Sequence, residues 1–126
     1  MTKSFLAMAI ISLSNSAFAA ELKVGDVLYC TSEFFYGTQV DDLSTVARYN
    51  QQNFRLKIFD KSIDFGSSGY FSNSSIPLKE LEVWGLNAQG EDSTFKLYAY
   101  EGNISFNYAS ANPFGMAIMR GTCDKF

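Results

Sequence analysis

The sequence predicts an all-β fold, a small antiparallel up-and-down β-barrel or sandwich of about seven or eight strands with at most one short helix. Three observations lead there. Beyond Ala19, apolar residues recur with period two along most of the chain. Turn residues interrupt that alternation at short intervals, as hairpins require. The two cysteines, Cys30 and Cys123, stand near opposite ends of the chain. A bond between them ties the first strand to the last, and this favours a barrel, whose closing seam lies between terminal strands.

Residues 1–19 read as a secretory signal peptide. Lys3 supplies the positive start, Phe5 to Leu13 is a short apolar run, and Ala17 and Ala19 occupy the small-residue positions of an A-x-A cleavage site. The run is about half the roughly 20 residues of a membrane-spanning helix. Residues 20–126 then form a single all-β domain, too short for two. Sec-type bacterial export directs such a chain to the periplasm or the exterior. In that oxidising setting Cys30 and Cys123 are expected to pair.

Within the domain, Val27 to Glu33 is the first strand, entered from a Gly25–Asp26 turn. Asp41 to Gln52 reads as a short helix, with Asp42 as N-cap and Leu43, Val46 and Ala47 on one side, or as a loop; the helix is preferred. Phe54, Leu56 and Ile58 alternate with Arg55 and Lys57, Asp60–Lys61 turns the chain, and Ile63 and Phe65 resume the apolar face. Gly66 to Pro77 is turn-rich, with a short strand around Tyr70 and Phe71. Leu81 to Asn87 is the next strand. Phe95, Leu97 and Ala99 then face one way, with Lys96, Tyr98 and Tyr100 opposite. After a turn at Glu101–Asn103, Ile104, Phe106 and Tyr108 point inward; Asn112–Gly115 turns again, and Met116 to Cys123 is the last strand.

The composition excludes several chemistries. There is no histidine, the commonest general base and metal ligand. No G-x-S-x-G elbow occurs. Carboxylate pairs such as Asp41–Asp42, Asp60/Asp64, Glu80/Glu82 and Glu91–Asp92 fall in turns or alternate with basic residues, the pattern of a solvated face. No enzyme activity, cofactor or metal is expected. Without Lys3, nine basic residues face thirteen acidic ones, a net charge of −4 that repels nucleic acid and anionic lipid. The terminal Phe126 suits an outer-membrane barrel, but the strands are short and Arg120, Thr122 and Asp124 interrupt the required apolar alternation.

Aromatic residues are the remaining signal: twelve Phe, seven Tyr and one Trp. Most belong to core-facing positions. Phe34, Phe35 and Tyr36 run consecutively and cannot all point inward from a strand. Tyr98 and Tyr100 oppose the core face, as does Phe59, while Tyr70, Phe71 and Phe114 lie in turn-rich segments. Phe34, Phe35, Tyr36, Tyr70, Tyr98 and Tyr100 are therefore the candidate binding residues. The alternative is a second apolar layer, with the Asp41–Gln52 segment covering the outside of the sheet.

Tyr29-Cys30, Cys123 and Ser68-Gly69-Tyr70 follow an order that resembles small exported lysozyme inhibitors. The resemblance implies a single β-barrel whose Ser-Gly/Tyr loop enters an enzyme cleft. It covers a handful of residues; here Gly69 and Tyr70 are closer together than in that family, and the strands after Trp84 are longer.

Three forms of binding protein follow from these readings. The first is an exported, non-catalytic module that binds a protein partner through loop aromatics. The second is a lipocalin-like carrier of a small apolar ligand, and the third a hydrolase inhibitor of the kind just named. A carrier needs an unfilled interior, whereas Phe54, Phe65, Phe95, Phe106 and Tyr108 are large enough to fill a small barrel. The first form is accordingly preferred.

Overall fold

The computed structural model describes residues 21–39 and 42–125. The expected signal peptide, residues 1–19, lies outside the described residues. Nine antiparallel strands follow in chain order: β1 (Val27–Gln39), β2 (Asp42–Arg48), β3 (Asn53–Ile58), β4 (Ser62–Phe65), β5 (Ser75–Glu82), β6 (Gly85–Gln89), β7 (Ser93–Tyr100), β8 (Asn103–Asn112) and β9 (Gly115–Lys125). Consecutive strands from β3 to β9 pair in order, and β9 pairs back onto β1. With β3 on the other edge of β1, this closes an eight-stranded barrel. The closed sheet resolves the choice between barrel and sandwich.

Cys30 and Cys123 lie directly opposite each other in the β1–β9 register and form a disulfide. The bond crosses the seam where first and last strands meet. It spans 93 positions of sequence, so it removes much of the freedom of the unfolded chain.

The ninth strand is β2, and it explains the shape. The lower part of β1 (Val27–Thr31) pairs with β3, while its upper part (Tyr36–Gln39) pairs with β2. Between them the 49–52 connection keeps the same edge bonded. Ser32 N donates to Gln52 O at 2.9 Å, Gln52 N donates to Ser32 Oγ at 2.7 Å, and Tyr49 N donates to Phe35 O at 2.9 Å. The upper halves of β1, β8 and β9, with β2 at the edge, therefore rise past the barrel as a wall.

Within the segment expected to be a helix, residues 42–48 are thus a strand and residues 49–52 a connection. Asp42 does accept hydrogen bonds at the start of the element, from Ser44 N, Ser44 Oγ and Thr45 Oγ1, at 3.3, 2.8 and 2.7 Å. Those bonds, Thr45 first, hold its carboxyl below the ordinary range. They close a turn on the strand instead of capping a helix, because the exposed edge of upper β1 offers the backbone a ladder that a helix would leave unpaired. Two further expectations change. Leu81 to Asn87 is broken by a hairpin at Val83–Trp84, where Glu82 and Gly85 face each other. Leu22 N donates to Val83 O at 2.9 Å, so the N-terminal segment holds a turn that carries no turn residues of its own. The segment around Tyr70 and Phe71 is turn, not strand. The predicted Glu101–Asn103 turn is present, with positive φ at both Glu101 (48°) and Gly102 (80°), as a two-residue hairpin matched to strand twist requires.

Inside, alternate residues meet as predicted. Phe54, Phe65, Phe95, Phe106 and Tyr108 are buried, and Phe71 drops from its turn onto them. Phe95 and Phe106 stack at 5.6 Å, Phe65 and Phe71 at 4.4 Å, and Phe54 meets Phe71 edge-on at 4.8 Å. Leu22, fully buried, covers the opposite end. Buried Asp26 pairs there with Lys125 at 3.3 Å, and Lys125 Nζ also donates to Glu21 O at 2.6 Å, fastening the N-terminal segment to the last strand.

Candidate binding surface

A β-bulge decides where the aromatic triplet points. In lower β1, Leu28, Cys30 and Ser32 face inward. Strict alternation would then turn Phe34 and Tyr36 inward and Phe35 outward. The β1–β9 register slips between Ser32 and Phe34, and the extra residue reverses the phase above it. Phe35 is consequently in the core, 5 % exposed, whereas Phe34 is 40 % exposed. The rings of Phe34 and Tyr36 stand together on the outer face at 4.5 Å. Phe35 is thereby withdrawn from the surface on which the sequence placed it. Gly121 faces Ser32 across the slip, and an added Cβ there would sit 2.8 Å from Ser32 Cα and 2.7 Å from Phe106 Cε1. Glycine is what lets the strands close at this point.

The remaining candidates are not brought to one place. Tyr98 and Tyr100 stand on the outside of lower β7, and Trp84 lies beside Tyr98. There Trp84 and Tyr98 flank a shallow cleft of about 200 Å³ with Glu80, Glu82 and Lys96. Tyr36 lies near the top of the wall, in the cross-strand row that runs through Ile118 and Ala109 to Thr94. Tyr70 lies at the barrel mouth, and its ring folds down onto Phe35 (5.1 Å), Phe71 (5.1 Å) and Tyr108 (5.8 Å). Its loop is held closed: Tyr70 N donates to Gln52 Oε1 at 3.1 Å and Ser72 Oγ donates to Ser67 O at 2.9 Å. The Ser68-Gly69-Tyr70 segment therefore caps the barrel.

The wall has a cavity on each side. On its outer face, a groove of about 630 Å³ has a floor that includes Tyr36, Val46, Ala109 and Ile118. Its only charged lining residues among those described are Glu91 and Asp92, on the β6–β7 loop that forms its lip. Ala111 N donates to Asp92 O at 3.0 Å and fixes that loop to β8. On the inner face, at the barrel mouth, a second cavity of about 490 Å³ lies between Tyr49, Tyr70 and Phe114, over Phe35 and Ala117. Tyr49 Oη donates to Thr38 O at 3.2 Å, which sets its ring against the wall. Below this cavity, burial pushes the Tyr108 phenol up to about 12; a hydrogen bond with Ser110 opposes the rise and one with Tyr70 adds to it.

Ile118, Val46 and Tyr49 were missed by the sequence reading. A signal for Ile118 was present: in Met116 to Met119 all four residues are apolar, so a strand with one face inside must show apolar side chains outside. For Val46 the signal was the apolar set Leu43, Val46 and Ala47, which read as one side of a helix. Among the described residues no group of three or more acidic or thiol side chains is placed to hold a metal ion. No described helix is long and apolar enough to cross a membrane. The disulfide is compatible with an oxidising compartment outside the cytoplasm. Comparison with protein-family models, with curated proteins and with solved structures finds no match to this chain.

Proposed function

We propose that this is an exported, non-catalytic binding module that takes a segment of a protein partner into the outer groove of the wall. The observation that carries the reading is the groove itself. Val46 and Ile118 are exposed beside a half-buried Tyr36 on a firmly hydrogen-bonded sheet. Apolar side chains gathered in a concavity are the mark of an anchor pocket for a partner side chain. The lip adds Glu91 and Asp92 and, among the described residues, no opposing cation. The matching segment is one that presents an apolar residue flanked by lysine or arginine.

Carriage of an apolar ligand inside the barrel is less well supported, since stacked phenylalanines occupy the interior. The inhibitor form is less well supported too, because Tyr70 packs down over the mouth instead of projecting from it.

Native mass spectrometry of the protein taken from its host's envelope without reductant tests the reading. A protein-sized adduct is expected, lost in Ile118→Lys at unchanged melting temperature. A bare monomer at high concentration, or an adduct that Ile118→Lys retains, overturns it. A small bound mass favours the carrier.

A further inference from the structure

We propose that the cavity at the barrel mouth is a second site, built for an uncharged saccharide. It lies on the inner face of the wall, across the sheet from the outer groove, and the two share Thr38, Ser110, Met116 and Ala117 in their linings. Two features of its lining define the ligand. The first is charge: the outer groove carries two carboxylates, but among the described residues no charged side chain lines the mouth cavity. A charged ligand would find no counter-ion there and would lose hydration on entering. The second is the mixture of flat rings and amides. Tyr49, Tyr70 and Phe114 supply aromatic surface around the opening, and Asn50, Gln52 and Asn112 stand among them.

A sugar ring offers apolar C–H faces and a rim of hydroxyls, each both donor and acceptor. Rings cover the first and amides pair with the second, because a primary amide carries donor and acceptor side by side. The volume, about 490 Å³, is in the usual range for small-molecule sites, roughly 300–1,000 Å³. A purely apolar ligand suits this lining poorly, since it would cover amide and hydroxyl groups without returning their hydrogen bonds.

The site is largely pre-set. Gln52 is held by its bonds to Tyr70 N and to Asn50 O, the latter at 3.2 Å. Asn112 Oδ1 accepts from Phe114 N at 2.8 Å, which leaves its amide N–H groups to donate to a hydroxyl. Asn50 is exposed, and among the described residues no bond from its side chain competes with a ligand. Phe114 is 70 % exposed on the β8–β9 turn, an aromatic face left uncovered at the entrance. The Tyr49 and Tyr70 rings, both packed on Phe35, bind with little ordering cost.

Amide-resolved NMR titration of the full mature protein tests the site. The probes are maltotriose, cellotriose and triacetylchitotriose, with the neutral apolar dye N-phenyl-1-naphthylamine as contrast. At least one trisaccharide is expected to give saturable shifts confined to the amides of residues 49–52, 70, 110–112 and 114–117. Phe114→Ala and Asn50→Ala should each weaken that binding about tenfold, with melting temperature unchanged, and Ile118→Lys should leave it intact. Three results would each overturn the proposal: no saturable shift with any trisaccharide, saturation by the dye alone, or saccharide binding that neither variant weakens.

Discussion

The lower barrel and the upper wall are made from the same strands and use their side chains in opposite ways. Below Ser32, β1 has β3 on one edge and β9 on the other, and the closed sheet turns Leu28, Cys30, Leu56, Phe106 and Cys123 inward. Above Ser32 the wall leaves the cylinder. Phe35 and Ala117 still face the core, but Tyr36, Val46 and Ile118 are apolar on the other side as well. A sheet that needs apolar residues only for its own core has polar residues outside. Apolar residues on both faces of the wall are accounted for by the barrel on one side and, in the function proposed above, by a docking partner on the other.

The difference can be broken by substitution. The largest effect is expected inside: Phe95→Ala removes a fully buried ring stacked on Phe106 and should lower stability by about 3–5 kcal/mol in urea titration. A loss under about 1 kcal/mol would mean the barrel centre is loosely filled, which would restore the carrier reading. Replacing both Cys30 and Cys123 by alanine should cost about 2–5 kcal/mol, because the bond closes the seam across 93 positions. Equal melting of the oxidised and reduced protein would show that β1–β9 pairing holds without it.

Adjacent residues offer a sharper contrast. Phe35→Ala should destabilise by about 3 kcal/mol, and Phe34→Ala by no more than about 0.5 kcal/mol. Reversal of that order would place the bulge elsewhere. A pH test probes the boundary between the two regions. The Tyr108 phenol is raised from 10.0 to about 12 in the folded protein. The native state therefore holds this proton more tightly than the unfolded chain does. The resulting stability is whole below pH 10 and is lost between about pH 10 and 12. Thermal melts of wild type and Tyr108→Phe should differ in slope across that window; parallel curves would remove Tyr108 as the cause. The smallest effect on folding belongs to the wall: Ile118→Lys should shift stability by no more than about 0.5 kcal/mol while abolishing partner binding.

Much of this architecture is legible in the chain. The hairpin through Phe54–Phe65 and the pairs facing Phe95 and Phe106 follow from alternation, because on a barrel with one buried face period two translates directly into inside and outside. The candidate surface is less legible. Phe35 was misplaced because a bulge is set by a partner strand: the slip between Ser32 and Phe34 is made against Gly121, almost ninety residues away. Val46 was hidden because Leu43, Val46 and Ala47 also satisfy a helical spacing, and only the unpaired edge of upper β1 decides for a strand. The turn at Val83–Trp84 was hidden because Leu22 holds it from outside.

The sequence by itself determined the strand-rich fold, the inward set of large side chains and the cysteine pair that seals the seam. These are written in local alternation, in residue size and in a count of two. Tertiary structure alone decided the phase of the aromatic triplet, the rise of the wall beyond the barrel and the two cavities that wall separates. Each depends on which strand edge remains unpaired after the barrel closes, and that is a property of the whole sheet.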